Sequence, residues 1–229
     1  MSPAPDNMEQ QRLRMVAKQL ENRGIRDRGV LDAMRQVPRE RFVAERYEEF
    51  AYDDGPLPIP EGQTISQPYV VALMIQALRL TPDDHVLEVG TGSGYAAAVI
   101  SRIVSEVYTV ERFELLGDFA RQNLTGAGYD NVHVLVGDGT LGWLKYAPYN
   151  AIIIAAGGPG VPDALKTQLV VGGRLVIPVG SEQRAQRLVR VTRLGDDQYD
   201  EETFGHVRFV PLIGKQGWDK EERRWSDIF

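Results

Sequence analysis

The chain has 229 residues, 43% apolar and 25% charged, with a formal net charge of −6 and no cysteine. That length suits one α/β domain with a substantial core and is short for two, and the missing cysteines exclude disulfides and thiolate catalysis. The acidic balance gives no overall attraction to nucleic acid or anionic membranes, and no apolar run approaches the ~20 residues of a membrane span. The expectation is a soluble, cytoplasmic protein with neither as a partner.

Asp6 or Asn7 is placed to cap a first helix, with Glu9 as the box partner of Asp6. Leu13, Val16, Ala17 and Leu20 recur at helical spacing, and Gly24 ends the run. A second helix starts at Asp27 and buries Val30, Leu31, Met34 and Val37 before Pro38 stops it. Acidic residues interleave with Arg23, Arg26, Arg28, Arg35, Arg39 and Arg41, so these arginines read as a solvated face. Pro56, Pro58 and Pro60 at every second position favour an extended segment. It leads through Gln63–Pro68 into a helix carrying Val70, Val71, Met74, Ile75 and Leu78. On spacing alone, Ser66 reads as the N-cap of that helix, with Pro68 in the first turn.

From Asp84 onward, apolar strand patterns alternate with helical ones at short intervals, which predicts a doubly wound, mostly parallel sheet. Strands are expected at His85–Val89, Glu106–Val110, Val132–Val136, Ala151–Ala155 and Arg174–Val179. Helices fall at Ala96–Ile103 and Phe113–Leu124, closed in the second case by Gly126 and Gly128, and Gly172–Gly173 separates a helix from the fifth strand. Leu188–Thr192 and His206–Leu212 read as further strands, with Gly195-Asp196-Asp197 turning a hairpin. The organisation is one domain: a helical cap and extended loop over 1–62, a core over 63–218 and a charged tail over 219–229.

In open α/β sheets, ligands lie beyond the carboxyl ends of the strands. Three such ends carry suggestive residues. After the first comes Gly90-Thr91-Gly92-Ser93-Gly94, a turn that lets a ligand approach the backbone and opens onto a helix N-terminus. Glu111 ends the second, twenty-one residues past Gly90, where a carboxylate can accept from both ribose hydroxyls. Asp138 follows the third between Gly137 and Gly139, able to accept from an amino group such as that of adenine. Together they describe an adenosine pocket, which by itself separates neither S-adenosylmethionine from a dinucleotide nor an enzyme from a binding module.

The third glycine stands one position earlier than in the dinucleotide pattern G-x-G-x-x-G. With Glu88 two residues ahead, this compressed form resembles motif I of the class I S-adenosylmethionine-dependent methyltransferases. Pro56-Leu57-Pro58-Ile59, Gly62-Gln63-Thr64-Ile65-Ser66-Gln67-Pro68, Gly137-Asp138-Gly139, Ala147–Ile152, Gly172–Gly180 and Phe209-Val210-Pro211-Leu212 then resemble the signature of the protein-L-isoaspartate O-methyltransferases, from about residue 10 to Trp218. Asn150 stands where that family often has Asp, and either serves at a sheet end.

The resemblance implies a seven-stranded Rossmann-like methyltransferase fold with an N-terminal helical cap. It implies methyl transfer from S-adenosylmethionine, leaving S-adenosylhomocysteine, to the α-carboxylate of L-isoaspartyl residues in damaged proteins and peptides. It places Ser66 as the active-site residue, overturning the capping role. It assigns the cofactor to Thr64, Ile65, Ser66, Glu88, Gly90, Thr91, Gly92, Ser93, Gly94, Glu111, Arg112, Asp138 and Gly139, with no metal. Ile65 walls the pocket, and the late strand with Val210, Pro211 and Leu212 pairs with an extended substrate peptide. Glu88 orients the glycine turn or the cofactor's amino group.

An acceptor carboxylate with a pKa near ~3.5 is already ionised at neutral pH and needs no strong base. His85 and His133 accordingly read as structural; His206 leads the late strand. A monomer is expected. The rival reading is a class I methyltransferase with a different small-molecule or RNA acceptor.

Overall fold

A computed structural model describes residues 5–182 and 185–219. Its centre is a seven-stranded sheet in the order β5-β4-β3-β6-β7-β8-β9. The strands are β3 (His85–Val89), β4 (Glu106–Glu111), β5 (Val132–Val136), β6 (Tyr149–Ile154), β7 (Leu169–Glu182), β8 (Ala185–Gly195) and β9 (Gln198–Val207). Pairing is parallel from β5 through β7 and antiparallel from β7 to β8 and from β8 to β9, so β8 alone runs against the others in the mostly parallel sheet that the alternating pattern predicts. β3 is buried along Val86–Val89, as expected of a central strand covered on both faces. A separate hairpin, β1 (Leu57–Ile59) with β2 (Gln63–Ile65), forms from the proline-spaced segment. The alternation of prolines keeps it extended and leaves the intervening residues to pair.

The helices are α1 (Pro5–Met15), α2 (Arg28–Gln36), α3 (Pro68–Leu78), α4 (Tyr95–Ser101), α5 (Glu114–Gly126) and α6 (Asp163–Lys166). The expected cap on α2 is present, with Asp27 Oδ1 accepting from Val30 N at 3.1 Å. α1 is already under way at Pro5, so Asp6 and Asn7 lie inside it and not at its N-cap. It continues as a wider π turn over Val16–Leu20, which shifts the buried face to Met8, Met15, Val16 and Leu20 and leaves Leu13 exposed. One apolar cluster joins these cap residues to Ala97, Ile100 and Val107 of the α/β layers.

Arg39 corrects the reading of the arginines as a solvated face. It is completely buried, its Nε donates to Ala51 O at 2.7 Å, and its guanidinium lies 4.9 Å from the Tyr95 ring. Burial pulls its pKa down to about 10. Gly172–Gly173 lies within β7, where the register with β6 shifts between Tyr149 and Ala151. His85 N donates to Asn150 Oδ1 at 2.9 Å, a role an aspartate would also fill. The hairpin through Gly195-Asp196-Asp197 is present, with Asp197 at φ +55. The strand expected over His206–Leu212 instead ends at Val207. Beyond it, the chain leaves the ladder and meets the sheet's end through an isolated bridge between Gly157 and Pro211. Of the expected tail, residues 220–229 lie outside the described residues.

Candidate active site

β3 has β4 on one side and β6 on the other, so chain order reverses there and a crevice opens beyond its carboxyl end. The glycine turn occupies that crevice. Gly90, Gly92 and Gly94 all have positive φ (+93, +56 and +90), which explains why three glycines recur in five positions. Gly90 N donates to Val110 O at 2.9 Å, fastening the turn to β4. Beneath it, Thr91 Oγ1 meets Thr109 Oγ1 at 2.6 Å, and Thr109 Oγ1 donates to Glu88 Oε2 at 2.6 Å. This buried relay locks the turn to the sheet. Glu88 Oε1 is buried without a hydrogen-bond partner. Burial, with the nearby Glu111 charge adding to it, pushes Glu88 up to about 8 against the pull of Thr109.

Glu111 ends β4 with its carboxylate turned back over the turn. Oε2 accepts from Gly92 N at 2.9 Å and Oε1 from Phe113 N at 3.0 Å. Burial raises its pKa against these N–H groups. Asp138 caps a short 3-10 turn over Gly139–Leu141, its Oδ1 accepting from Thr140 N at 3.0 Å and Oδ2 from Lys215 N at 2.8 Å. Burial opposes ionisation, yet the Thr140 and Lys215 donors hold Asp138 below its ordinary value.

Ser66 follows β2 and lies half-buried; the N-cap of α3 is Gln67, with no side-chain capping bond. The N-cap role for Ser66 is therefore excluded. Across from it, Val210 O accepts from Gly157 N at 2.7 Å and Leu212 N donates to Gly157 O at 2.8 Å. These bonds hold an extended segment over the cavity although it belongs to no strand.

One cavity, open to solvent, gathers these groups. Thr64, Ile65, Ser66, Glu88, Gly90, Thr91, Gly92, Ser93, Glu111, Arg112, Gly139, Val210, Pro211 and Leu212 all line it. Two expected residues do not. Gly94 faces α5, where a Cβ would meet Leu124 at 3.1 Å, so it serves packing. Asp138 borders an adjoining cleft that shares Arg112 and Ile213 with the main cavity. Sequence reasoning missed Phe113, Ala155, Ala156 and Ile213 as lining residues, whereas Phe209, which also lines the cavity, belongs to the expected late strand. Ala155 and Ala156 follow β6, a fourth strand end that the same strand-end rule would have reached. Ile213 follows the recognised segment and carries no polar signal.

Adenosine and amino groups fit this lining: a glycine cradle, the Glu111 carboxylate, and a buried acceptor at Glu88 Oε1 that lacks a partner. Among the described residues, no group of three or more His, Asp or Glu side chains is placed to hold a metal ion.

The sequence model of the family described as protein-L-isoaspartate(D-aspartate) O-methyltransferase matches residues 10–217. Protein-L-isoaspartate O-methyltransferase 2 of Pelobacter propionicus is 60% identical, over 94% of this chain and 96% of its own length. Protein-L-isoaspartate O-methyltransferase 1 of Geotalea uraniireducens is 59% identical, over 93% and 97%. Among solved structures, a protein-L-isoaspartate O-methyltransferase superposes with a TM-score of 0.82 at 29% identity, covering 92% of this chain and 67% of that one. A Plasmodium falciparum structure described as the same enzyme in complex with S-adenosyl-L-homocysteine gives 0.78 at 26%, covering 88% and 98%.

Proposed function

The chain belongs to the protein-L-isoaspartate(D-aspartate) O-methyltransferase family, and on that premise we propose that Ser66 holds the acceptor carboxylate opposite the glycine turn. The reaction is methyl transfer from S-adenosylmethionine to the α-carboxylate of L-isoaspartyl residues in proteins and peptides. When bound, S-adenosylmethionine supplies the methyl group as part of a sulfonium. The observation that carries the placement is that Ser66, the glycine turn and Glu111 face one cavity.

The residues divide the work. Gly90, Gly92 and Ser93 cradle the donor, Glu111 accepts from the ribose hydroxyls, and Glu88 receives the amino group at Oε1. Arg112, Asp138 and Gly139 border the adenine end, with Thr64, Ile65 and Thr91 completing the wall. Ser66 donates its hydroxyl to the acceptor carboxylate and aims it. Because that carboxylate is ionised at neutral pH, no base is required, and the histidines support this division. His133 stacks on Tyr108 at 5.0 Å and pairs with Glu106 at 2.6 Å, at the amino ends of the strands. Fixing two reactants in line is worth ~7–11 kcal/mol of a barrier. Val71, Met74, Phe209 and Leu212 add an apolar lining that excludes water.

Val210, Pro211 and Leu212 meet the peptide backbone, so recognition tolerates varied neighbours of the damaged residue. The same proposal covers a single domain with residues 1–62 as its cap, working as a cytoplasmic monomer without nucleic acid or membrane as partner. The net charge of −6 supports the absence of nucleic acid. Transfer of labelled methyl from S-adenosylmethionine to peptides identical except for aspartyl or isoaspartyl linkage tests the reading. Label is expected only in the isoaspartyl peptide; equal labelling of both, or of neither, contradicts it.

A further inference from the structure

The segment Phe209–Leu212 leaves the sheet just where the acceptor peptide is proposed to lie, so something other than a strand ladder must hold it. β9 pairs with β8 as far as the Gln186–Val207 rung. One rung further on, the side chain of Gln186 takes over. Phe209 N donates to its Oε1 at 2.7 Å, and its Nε2 donates to Phe209 O at 3.3 Å. A side-chain amide thus presents both halves of a peptide group to a backbone that has left the sheet.

The amide is 1% exposed, so its bonds are not traded for water. Gly157 makes room for it: a Cβ there would stand 2.6 Å from Gln186 Nε2. With no side chain, Gly157 also bonds two further residues of the segment, through Val210 O and Leu212 N. Trp218 Nε1 donates to Gly157 O at 2.9 Å and closes the far side of the same anchor. Gln186 and Gly157 do not line the cavity, yet between them they bond Phe209, Val210 and Leu212 of the segment that does, with Trp218 N donating to Leu212 O at 2.7 Å at its far end.

We propose that Gln186 is a positioning residue for the acceptor peptide, its amide standing in for a sheet rung that sets the backbone of Phe209–Leu212 at the cavity mouth. This rests on the reading that this segment meets the acceptor. Two variants separate the role from simple stability. Gln186→Met keeps the length and removes both bonds. Gln186→Glu keeps the shape: ionised, it sets a carboxylate against the Phe209 carbonyl, but protonated it donates and accepts as the amide does.

For Gln186→Met, the isoaspartyl-peptide KM is expected to rise about tenfold, matching the loss of roughly 1.4 kcal/mol. Calorimetric affinity for S-adenosylhomocysteine stays within about twofold, because the donor side keeps its own anchors. For Gln186→Glu, the KM defect relative to wild type at pH 8 should shrink at pH 6, since burial raises a carboxyl pKa. The Glu variant carries the test if the Met variant does not fold. An unchanged KM, or equal losses in peptide KM and cofactor affinity with no recovery at pH 6, overturns the proposal.

Hydrogen exchange separates this failure from failure of the underlying reading. Isoaspartyl peptide added with S-adenosylhomocysteine should slow amide exchange over residues 209–213 in the wild type. If it does not, the segment is not the acceptor's contact. If it does so equally in wild type and Gln186→Met, with KM unchanged, only the role of Gln186 falls.

Discussion

The two sides of the cavity are built in opposite ways. The donor side is mostly local: β3, the glycine turn and α4 are contiguous in sequence, and the next two strand ends supply Glu111 and Asp138–Gly139. The acceptor side is assembled from residues far apart in the chain, with Ser66 after β2, Gly157 after β6, Gln186 in β8 and Phe209–Leu212 beyond β9. A local turn specifies its own shape through φ, whereas a composite wall depends on every anchor at once. Damage to one side should therefore spare the other.

The largest effect expected from breaking the donor side comes from Glu111→Ala. It removes the proposed ribose acceptor and the carboxylate that accepts from the N–H groups of Gly92 and Phe113. Hydrogen bonds to a charged group contribute about 1.5–3 kcal/mol each, so affinity for S-adenosylhomocysteine should fall about 100-fold or more by calorimetry. A loss under about threefold would show that the carboxylate only shapes the turn.

Glu88 sharpens the comparison through pH. Folded, it keeps its proton up to about pH 8, against an ordinary value of 4.5 unfolded. Between those values the folded chain binds more protons, so this group's contribution to stability falls as pH rises and levels off above about 8. Glu88→Gln, which cannot ionise, should gain stability relative to wild type as pH rises from 5 to 8, on the order of 3 kcal/mol at the upper end. Chemical denaturation at several pH values measures this. A constant difference between the two proteins would contradict the buried, protonated carboxyl.

The smallest effect belongs to neither side. His133→Asn removes a ring from the aromatic stack around Tyr108, at the opposite end of the strands. Its kcat should stay within about twofold, since the acceptor is already ionised and no step requires a base. A steep loss in steady-state turnover would return a histidine to the chemistry.

This contrast also decides what was legible in the sequence. His85–Val89 read correctly because a buried parallel strand is a short apolar run bounded by turns, and Val132–Val136, a half-exposed edge strand, because its valines alternate between turn signals. The glycine turn and Glu111 could be placed together because their positions follow from local geometry and one spacing, and they line one cavity. Leu13 misled because a π turn changes the helical period, which no local pattern announced. Arg39 misled because a lone arginine looks alike in solvent or against a tyrosine ring until the tertiary neighbours are known. The late strand was misplaced for a related reason. Phe209–Leu212 has the composition of a strand, but its partners are a glycine and a glutamine side chain at distant positions. Motif resemblance found the segment; only the three-dimensional contacts explain what holds it.

The point where the two sides meet is Ser66, and it gives the most direct test. Steady-state turnover of an isoaspartyl peptide and calorimetric binding of S-adenosylhomocysteine should be measured on Ser66→Ala. Losing a donor aimed at a reacting carboxylate should lower kcat about 10²–10³-fold while cofactor affinity stays within about twofold. Parallel losses in both quantities, or an unchanged kcat, would contradict a cavity in which one hydroxyl aims the acceptor at a separately held donor.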